Sequence, residues 1–243
     1  MLTRLLAVAV LLAIAPLTQA ETKTGFVNKM FKNADGTESA YVVYIPPGYD
    51  DSKSLPAILF LHGSGETKGD KSGKMPADQG FTNGHFQKQA KKFPAVVVIP
   101  QSEKRTWSAS SDDGKRAIAM LDATIKEYKL DEKRVYLTGL SMGGYGTWSQ
   151  AAAHPEKWAA IVPICGGGNV KDAEKIKDIP CWCVHGDKDT AVPVARSRDM
   201  IEALKAAGGK PHYLELAGVP HNSWDAAYSN DELYTWLFAQ KKK

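Results

Sequence analysis

The stretch R-V-Y-L-T-G-L-S-M-G-G-Y-G-T-W, residues 134–148, decides the fold of this 243-residue chain. Its first part, Val135–Thr138, is a short run of apolar and β-branched residues that is typical of a buried strand. Gly139 and Gly143 then flank Ser141 in the pattern G-x-S-x-G. A strand that turns sharply into a helix at such a pattern holds the serine hydroxyl above the end of a sheet. We therefore interpret Ser141 as a nucleophile.

Two further motifs follow in the order acid, then base. H-G-D-K-D occupies residues 185–189, and P-H-N-S occupies residues 220–223. A serine hydroxyl is a weak nucleophile, and it needs an adjacent base that a third group holds in place. His221 is our candidate base, because it lies in a loop between the last predicted strand and the last predicted helix. The other five histidines are interpreted as structural residues.

The first twenty residues predict export. Arg4 supplies a positive start, residues 5–17 are a short apolar stretch, and the small-residue sequence T-Q-A ends at Ala20. This pattern is typical of a secretory signal peptide and is too short to span a membrane. We expect residues 1–20 to be removed and residues 21–243 to be periplasmic or extracellular. No later run approaches eighteen apolar residues, so we expect no stable membrane insertion.

Charge and cysteine content exclude several function classes. The formal net charge is +4, and there is no stripe of Lys and Arg, which argues against nucleic acid as a partner. Cys165, Cys181 and Cys183 do not form a disulfide framework. They are interpreted as small buried residues of the core. Since no paired C-x-x-C is present, the sequence predicts no metal site and no cofactor.

The pattern along the chain predicts an α/β architecture. Two alternating segments, residues 24–32 and 39–45, are predicted as an antiparallel pair. Continuous apolar runs then alternate with helical patterns, which indicates strands covered on both faces in a parallel sheet. The predicted later strands are residues 57–61, 95–99, 135–138, 160–164, 181–184 and 212–216. The predicted helices are residues 81–92, 112–128, 142–153, 194–207 and 224–239. The prediction is an eight-stranded, mostly parallel, doubly wound sheet.

The residues that can carry chemistry follow the ends of these strands. His62, Gln101, Ser141, the segment 185–189 and His221 each come just after a predicted strand. Ligands on such sheets bind outside the carboxyl ends of the strands. We therefore expect five separate segments to meet at one site.

Together these stretches resemble the α/β-hydrolase superfamily, and specifically bacterial exported carboxylesterases of the phospholipase/carboxylesterase and dienelactone-hydrolase-like kind. The resemblance is carried by L-H-G-S-G-E at 61–66, I-P-Q-S-E-K-R-T-W at 99–107, V-P-I-C-G-G-G at 162–168 and the three motifs above. It extends over nearly all of residues 21–243 and implies one α/β-hydrolase domain. No large insertion separates the strands at 160–164 and 181–184, so we expect no cap domain.

The resemblance also implies a Ser-His-Asp triad. Its H-G-x-x-D spacing makes Asp189 the acid, with Asp187 as the rival, which we interpret as a residue that stabilises a turn. Acyl transfer needs donors for the developing oxyanion. The backbone N–H of Met142 is one predicted donor, and that of Ser64 is the other, with Gly65 as the alternative.

The expected activity is that of a secreted serine carboxylesterase. Gln101 and Trp107 are the candidate substrate-binding residues, and short-chain or polysaccharide-linked esters are the expected substrates. Two alternatives stay open from the sequence. One is a serine peptidase of the prolyl-oligopeptidase-like type, and the other is a non-catalytic binding protein on a hydrolase scaffold.

Overall fold

Eight strands form one sheet in the computed structural model, which describes residues 24–67, 88–89 and 92–242. The strands are β1 (Gly25–Lys32), β2 (Glu38–Ile45), β3 (Ala57–Leu61), β4 (Val96–Pro100), β5 (Val135–Leu140), β6 (Ala160–Ile164), β7 (Trp182–Gly186) and β8 (His212–Leu216). Their spatial order is β1-β2-β4-β3-β5-β6-β7-β8. β1 and β2 pair antiparallel with each other, and β2 pairs antiparallel with β4. The six later strands are parallel, which confirms the predicted fold class.

The predicted strands differ from the observed ones mainly at their ends. β5 continues two residues beyond the predicted end, because Gly139 and Leu140 still pair with Pro163 and Ile164 of β6. The strand therefore reaches the residue before Ser141, and the turn that follows it is as tight as the glycine pattern indicates.

Six α-helices lie wholly within the described part of the chain. They are α1 (Asp112–Glu127), α2 (Met142–Ala153), α3 (Ala173–Ile176), α4 (Ala195–Ala206), α5 (Trp224–Ser229) and α6 (Asp231–Ala239). The predicted helix at 81–92 lies largely outside the described residues. A single helix over residues 224–239 was the wrong prediction. Asn230 has an extended backbone, and its side chain accepts a hydrogen bond from the N–H of Glu232, so it ends α5 and caps α6.

The continuous apolar strands are explained by helices on both faces of the sheet. Along β3, Leu59 and Leu61 face the core on which α1, α2, α3 and α4 pack, whereas Ile58 and Phe60 face the core formed with α5 and α6. Successive side chains of a strand point to opposite faces, so a strand buried on both sides has no polar alternation.

The carboxyl ends of the parallel strands carry the chemistry-bearing residues, as expected. Hydrogen bonds connect these segments to one another: Ser141 N–H donates to the Ile164 carbonyl at 3.0 Å, and Ser102 N–H donates to the His62 ring at 3.1 Å. The connection from β6 to β7 contains one 3₁₀ turn (Val170–Asp172) and the four-residue α3.

The predicted signal peptide lies outside the described residues. In the described part of the chain, every helix is too short or too polar to cross a bilayer.

Candidate active site

Ser141 sits at a strained turn between β5 and α2. Its φ is 54° and its ψ is −116°, a conformation that residues with a side chain rarely adopt. Such a backbone costs on the order of 1–3 kcal/mol and persists where the surrounding structure fixes it. Here two contacts fix the amide of Ser141, because its N–H points at the Ile164 carbonyl and at Sγ of Cys165, 3.3 Å away.

Close packing explains the two glycines of the motif. A Cβ atom on Gly143 would lie 1.9 Å from the carbonyl oxygen of Leu61, and one on Gly139 would lie 2.4 Å from the carbonyl oxygen of Gly143. Neither contact is compatible with a side chain. The start of α2 is therefore pressed against the end of β3, and Ser141 is raised toward the residues that follow the neighbouring strands.

Three predicted residues from three separate segments meet in one hydrogen-bonded chain. The hydroxyl of Ser141 lies 2.9 Å from Nε2 of His221, and Nδ1 of His221 lies 2.6 Å from Oδ2 of Asp189. Because the carboxylate accepts, Nδ1 carries the hydrogen and Nε2 is left to accept from the serine hydroxyl. This is the geometry in which an imidazole can take the serine proton.

The carboxylate of Asp189 is buried, and all its described partners donate to it. Asp189 is 8% exposed. Its Oδ1 accepts from the N–H groups of Ala191 at 2.9 Å and Val192 at 2.8 Å. Burial by itself would raise the pKa of Asp189, but the bonds from His221 and from these backbone N–H groups outweigh it and lower the pKa. Asp189 is thus held as a carboxylate.

His185 supports this aspartate from the buried side. Its Nε2 lies 3.2 Å from Oδ2 of Asp189 and 3.0 Å from the carbonyl oxygen of Val192. Both partners are acceptors, so Nε2 carries the hydrogen, and Nδ1 pairs with the hydroxyl of Ser197 at 2.7 Å. The spacing of four residues between His185 and Asp189 gave no indication of this contact.

Asp187 has a different partner. Its Oδ1 accepts from the N–H of Gly218 at 2.7 Å, and Gly218 has a positive φ of 73°. The neighbouring Lys188 N–H donates to the carbonyl of Val219 at 3.0 Å. Asp187 therefore anchors the loop that leads to His221, whereas Asp189 bonds to the histidine itself.

The loop after β3 is fixed through the ring of His62. Nδ1 of His62 donates to the carbonyl of Gly63 at 2.7 Å, and Nε2 accepts from the N–H of Ser102. Burial lowers the pKa of His62 to about 4, so the ring is neutral at physiological pH. Ser64 and Gly65, whose amides are the candidate oxyanion donors, follow directly in a 3₁₀ turn (Ser64–Glu66).

The side chains of Gln101 and Trp107, predicted to contact substrate, each donate a hydrogen bond to this same loop. Trp107 is 1% exposed, and its Nε1 donates to the carbonyl of His62 at 2.9 Å. Gln101 is 7% exposed, and its Nε2 donates to the carbonyl of Glu66. Both side chains thus brace the loop, and contact with substrate stays a prediction for each.

A cavity of about 570 Å³ opens along α2 and is lined by Met142, the residue that follows Ser141. Its walls combine aromatic and sulfur-containing side chains with polar and charged residues: Trp107, Met142, Tyr145, Trp148 and Met200 on the one hand, and Arg105, Thr106, Ser108, Ser149, Asn169 and Asp172 on the other. Trp107 is therefore both a brace of the loop and a wall of this cavity. A cavity of this size that combines apolar walls with polar groups is typical of a small-molecule site.

Glu66 is a site residue that the sequence analysis did not single out. The position that a Cβ atom on Gly63 would occupy is 3.1 Å from Oε2 of Glu66 and 3.7 Å from Cβ of Ser141. Burial raises the pKa of Glu66, while the backbone N–H groups of Glu66 itself and of Gly63 bond to the carboxylate and partly oppose the increase. The only sequence signal was an acidic residue at the end of H-G-S-G-E.

The three cysteines are free and buried, which confirms their interpretation as core residues. Cys165 also has a local role, since its Sγ receives the Ser141 N–H. The ligand atoms of Cys165, Asp189 and His221 lie within 4.8 Å of one another, a spacing that a metal ion can bridge. However, burial raises the pKa of Cys165 to about 12, and metals bind the thiolate. The imidazole of His221 and the carboxylate of Asp189, moreover, already bond to each other and not to a third group between them.

Comparison with known proteins points to one family of enzymes. The sequence profile of the BD-FAE family matches residues 42–157. The bifunctional acetylxylan esterase/xylanase XynS20E of Neocallimastix patriciarum is 30% identical over 212 residues, which cover 85% of this chain and 29% of that protein. A probable feruloyl esterase C of Aspergillus terreus is 26% identical over 168 residues, or 67% of this chain and 58% of that protein.

A solved structure of a thermostable esterase has the same architecture. It superposes with a TM-score of 0.79 at 34% identity, over 89% of this chain and 63% of that chain. The chain spans less than two thirds of the length of each of these three relatives.

Proposed function

The chain belongs to a carboxylesterase family of the α/β-hydrolase superfamily, and on this premise we propose that it hydrolyses carboxylic esters through an acyl-enzyme on Ser141. The observation that carries the proposal is the chain of hydrogen bonds from Ser141 through His221 to Asp189, with distances of 2.9 Å and 2.6 Å.

In the proposed mechanism, His221 is the general base. It takes the proton of Ser141 as the oxygen attacks the ester carbonyl, and it then gives that proton to the departing alcohol. Water repeats the sequence on the acyl-enzyme and releases the acid. Asp189 keeps the hydrogen on Nδ1 and stabilises the imidazolium that forms at each attack.

The proposed oxyanion donors are backbone groups. The N–H of Met142 lies at the start of α2, where the partial positive charge of a helix N-terminus adds to the hydrogen bond. The second donor is the N–H of Ser64, with Gly65 as the alternative. This chemistry uses only groups of the chain itself.

The proposed substrates are esters of small molecules or of polysaccharides. The relatives support this class, because one is named for the hydrolysis of acetyl esters of xylan, a polysaccharide, and the other for the hydrolysis of feruloyl esters. The connection between β6 and β7 contains only one 3₁₀ turn and the four-residue α3, which supports the proposal that no cap domain restricts the substrate. We further propose that residues 1–20 direct residues 21–243 out of the cytoplasm. Export would bring the enzyme to polysaccharide substrates outside the cell.

The test is a panel of aryl esters together with one amide. We expect kcat/KM to be far higher for acetyl and butyryl esters than for the palmitoyl ester or a proline-containing amide. The matched control is Ser141→Ala, which lacks only the hydroxyl. If the palmitoyl ester or the amide is the best substrate, the enzyme is a lipase or a peptidase. If no ester is hydrolysed faster than by the control, the scaffold is non-catalytic.

A further inference from the structure

The segment from Gly63 to Gly65 has to present backbone N–H groups to an oxyanion with very little side-chain support. Two of its three residues are glycines, and a Cβ atom on Gly65 would meet no atom within 4 Å. The braces described so far hold the two ends of the segment, through the carbonyls of His62, Gly63 and Glu66. These hydrogen bonds all go to carbonyl oxygens, so they do not hold the N–H groups of the segment.

The carboxylate of Glu66 is the group that reaches back to this segment. Its Oε2 lies 3.1 Å from the position that a Cβ atom on Gly63 would occupy, and Cβ of Ser141 lies 3.7 Å from that same position. The backbone N–H groups of Glu66 itself and of Gly63 favour the charged form of the carboxylate, against the effect of burial on its pKa. The N–H of Glu66 also bonds to the Gly63 carbonyl at 3.3 Å, which closes the 3₁₀ turn. The arrangement is like a capping box, in which a Glu side chain turns back to the N–H at the start of its own turn.

We propose that Glu66 is a positioning residue for the oxyanion loop, whose side-chain oxygen holds the Gly63 N–H and so aims the following amides at the carbonyl attacked by Ser141. This inference rests on the proposed ester hydrolysis. It assigns the function to the acceptor oxygen of Glu66 and not to its negative charge.

Two features of the site favour the acceptor over the charge. A free carboxylate close to a developing oxyanion would repel it, whereas an oxygen already engaged by backbone N–H groups has part of its charge compensated. Burial raises the pKa of Glu66 and so disfavours the charged form as well. An amide oxygen can accept the same N–H with neither penalty.

The test compares Glu66→Gln, which keeps an acceptor oxygen, with Glu66→Ala, which removes it. Glu132→Ala is the matched control, because Glu132 is exposed and lies outside the site. We expect Glu66→Ala to lower kcat for an aryl acetate by up to about 10²-fold, the cost of misplacing a catalytic group by ~1 Å, with little change in KM. Labelling of Ser141 by a fluorophosphonate should slow in parallel. Glu66→Gln should keep most of the wild-type kcat.

The outcomes separate this inference from the proposed function. If the wild-type enzyme and Glu132→Ala do not hydrolyse the ester, the proposed function fails first. If both are active and Glu66→Ala retains its kcat, Glu66 does not position the loop. If Glu66→Gln loses as much as Glu66→Ala, the charge matters and the acceptor role is wrong. If Glu66→Ala changes only the melting temperature, its role is structural.

Discussion

The two aspartates of the H-G-D-K-D segment provide the sharpest separation of catalysis from stability. Asp189 bonds to the ring of His221, and Asp187 bonds to the Gly218 amide of the same loop. The perturbation is Asp189→Asn beside Asp187→Ala. Each variant changes one carboxylate, and the two positions lie two residues apart.

The expected loss of kcat in Asp189→Asn follows from which ring nitrogen of His221 carries the hydrogen. An Asn at position 189 can present its NH₂ group to Nδ1 of His221, so the ring adopts the tautomer in which Nε2 carries the hydrogen. Nε2 can then no longer accept the Ser141 proton. The corresponding change in a serine protease triad lowers kcat by about 10⁴. We expect a loss of similar size, with the neighbouring N–H groups of Ala191 and Val192 still able to bond to the remaining oxygen.

The second effect follows from a single hydrogen bond. Asp187→Ala removes the acceptor for the Gly218 N–H, and a bond of this kind contributes about 1 kcal/mol to stability. We expect the melting temperature to fall by several degrees and kcat to change by much less than in Asp189→Asn.

The assay is kcat for an aryl acetate together with the melting temperature of each purified variant. An active Asp189→Asn beside an inactive Asp187→Ala would refute our choice of acid. A kcat close to the wild-type value in both variants would show that His221 does not depend on either carboxylate.

Two further predictions test the loop that faces Ser141 and the packing under it. The pKa of His62 is about 4 in the folded chain and 6.5 in the unfolded chain. As the pH falls, the unfolded chain therefore takes up the proton first. The free energy of unfolding should fall by roughly 3 kcal/mol between pH 6.5 and 4. His62→Asn should flatten this part of the pH profile in urea unfolding. A profile unchanged by His62→Asn would contradict the assignment. Gly143→Ala should lower the free energy of unfolding by at least about 2 kcal/mol, since the new Cβ would meet the Leu61 carbonyl. Gly65→Ala, whose Cβ would meet no atom, should change it by no more than about 0.5 kcal/mol. Equal unfolding midpoints for the two variants would refute the packing argument.

The sheet and the meeting of the triad residues were predictable because each depends on a local signal. Continuous apolar runs reveal strands buried on two faces, and the glycines around Ser141 reveal a turn with no room for side chains. The carboxyl ends of parallel strands then have to meet, which brings Asp189 and His221 to the serine.

Contacts that depend on side-chain direction could not be predicted in this way. Cys165 ends a strand like any buried residue, and only the fold places its sulfur against the Ser141 amide. Gln101 and Trp107 occupy the expected end of the sheet, yet the side chain of each donates a hydrogen bond to the loop after β3. The helix break at Asn230 was missed because the apolar pattern continues through it, while the cap itself is a single side-chain bond.

The most direct test of the central claim is peptide mass mapping after reaction with a fluorophosphonate, which traps an activated serine as a stable adduct. We predict one adduct, on the peptide that contains Ser141, together with complete loss of aryl acetate hydrolysis. Ser141→Ala should fold with an unchanged melting temperature and remain unlabelled. An adduct on a different residue, or labelling of Ser141→Ala at the wild-type rate, would contradict the assignment of Ser141 as the nucleophile.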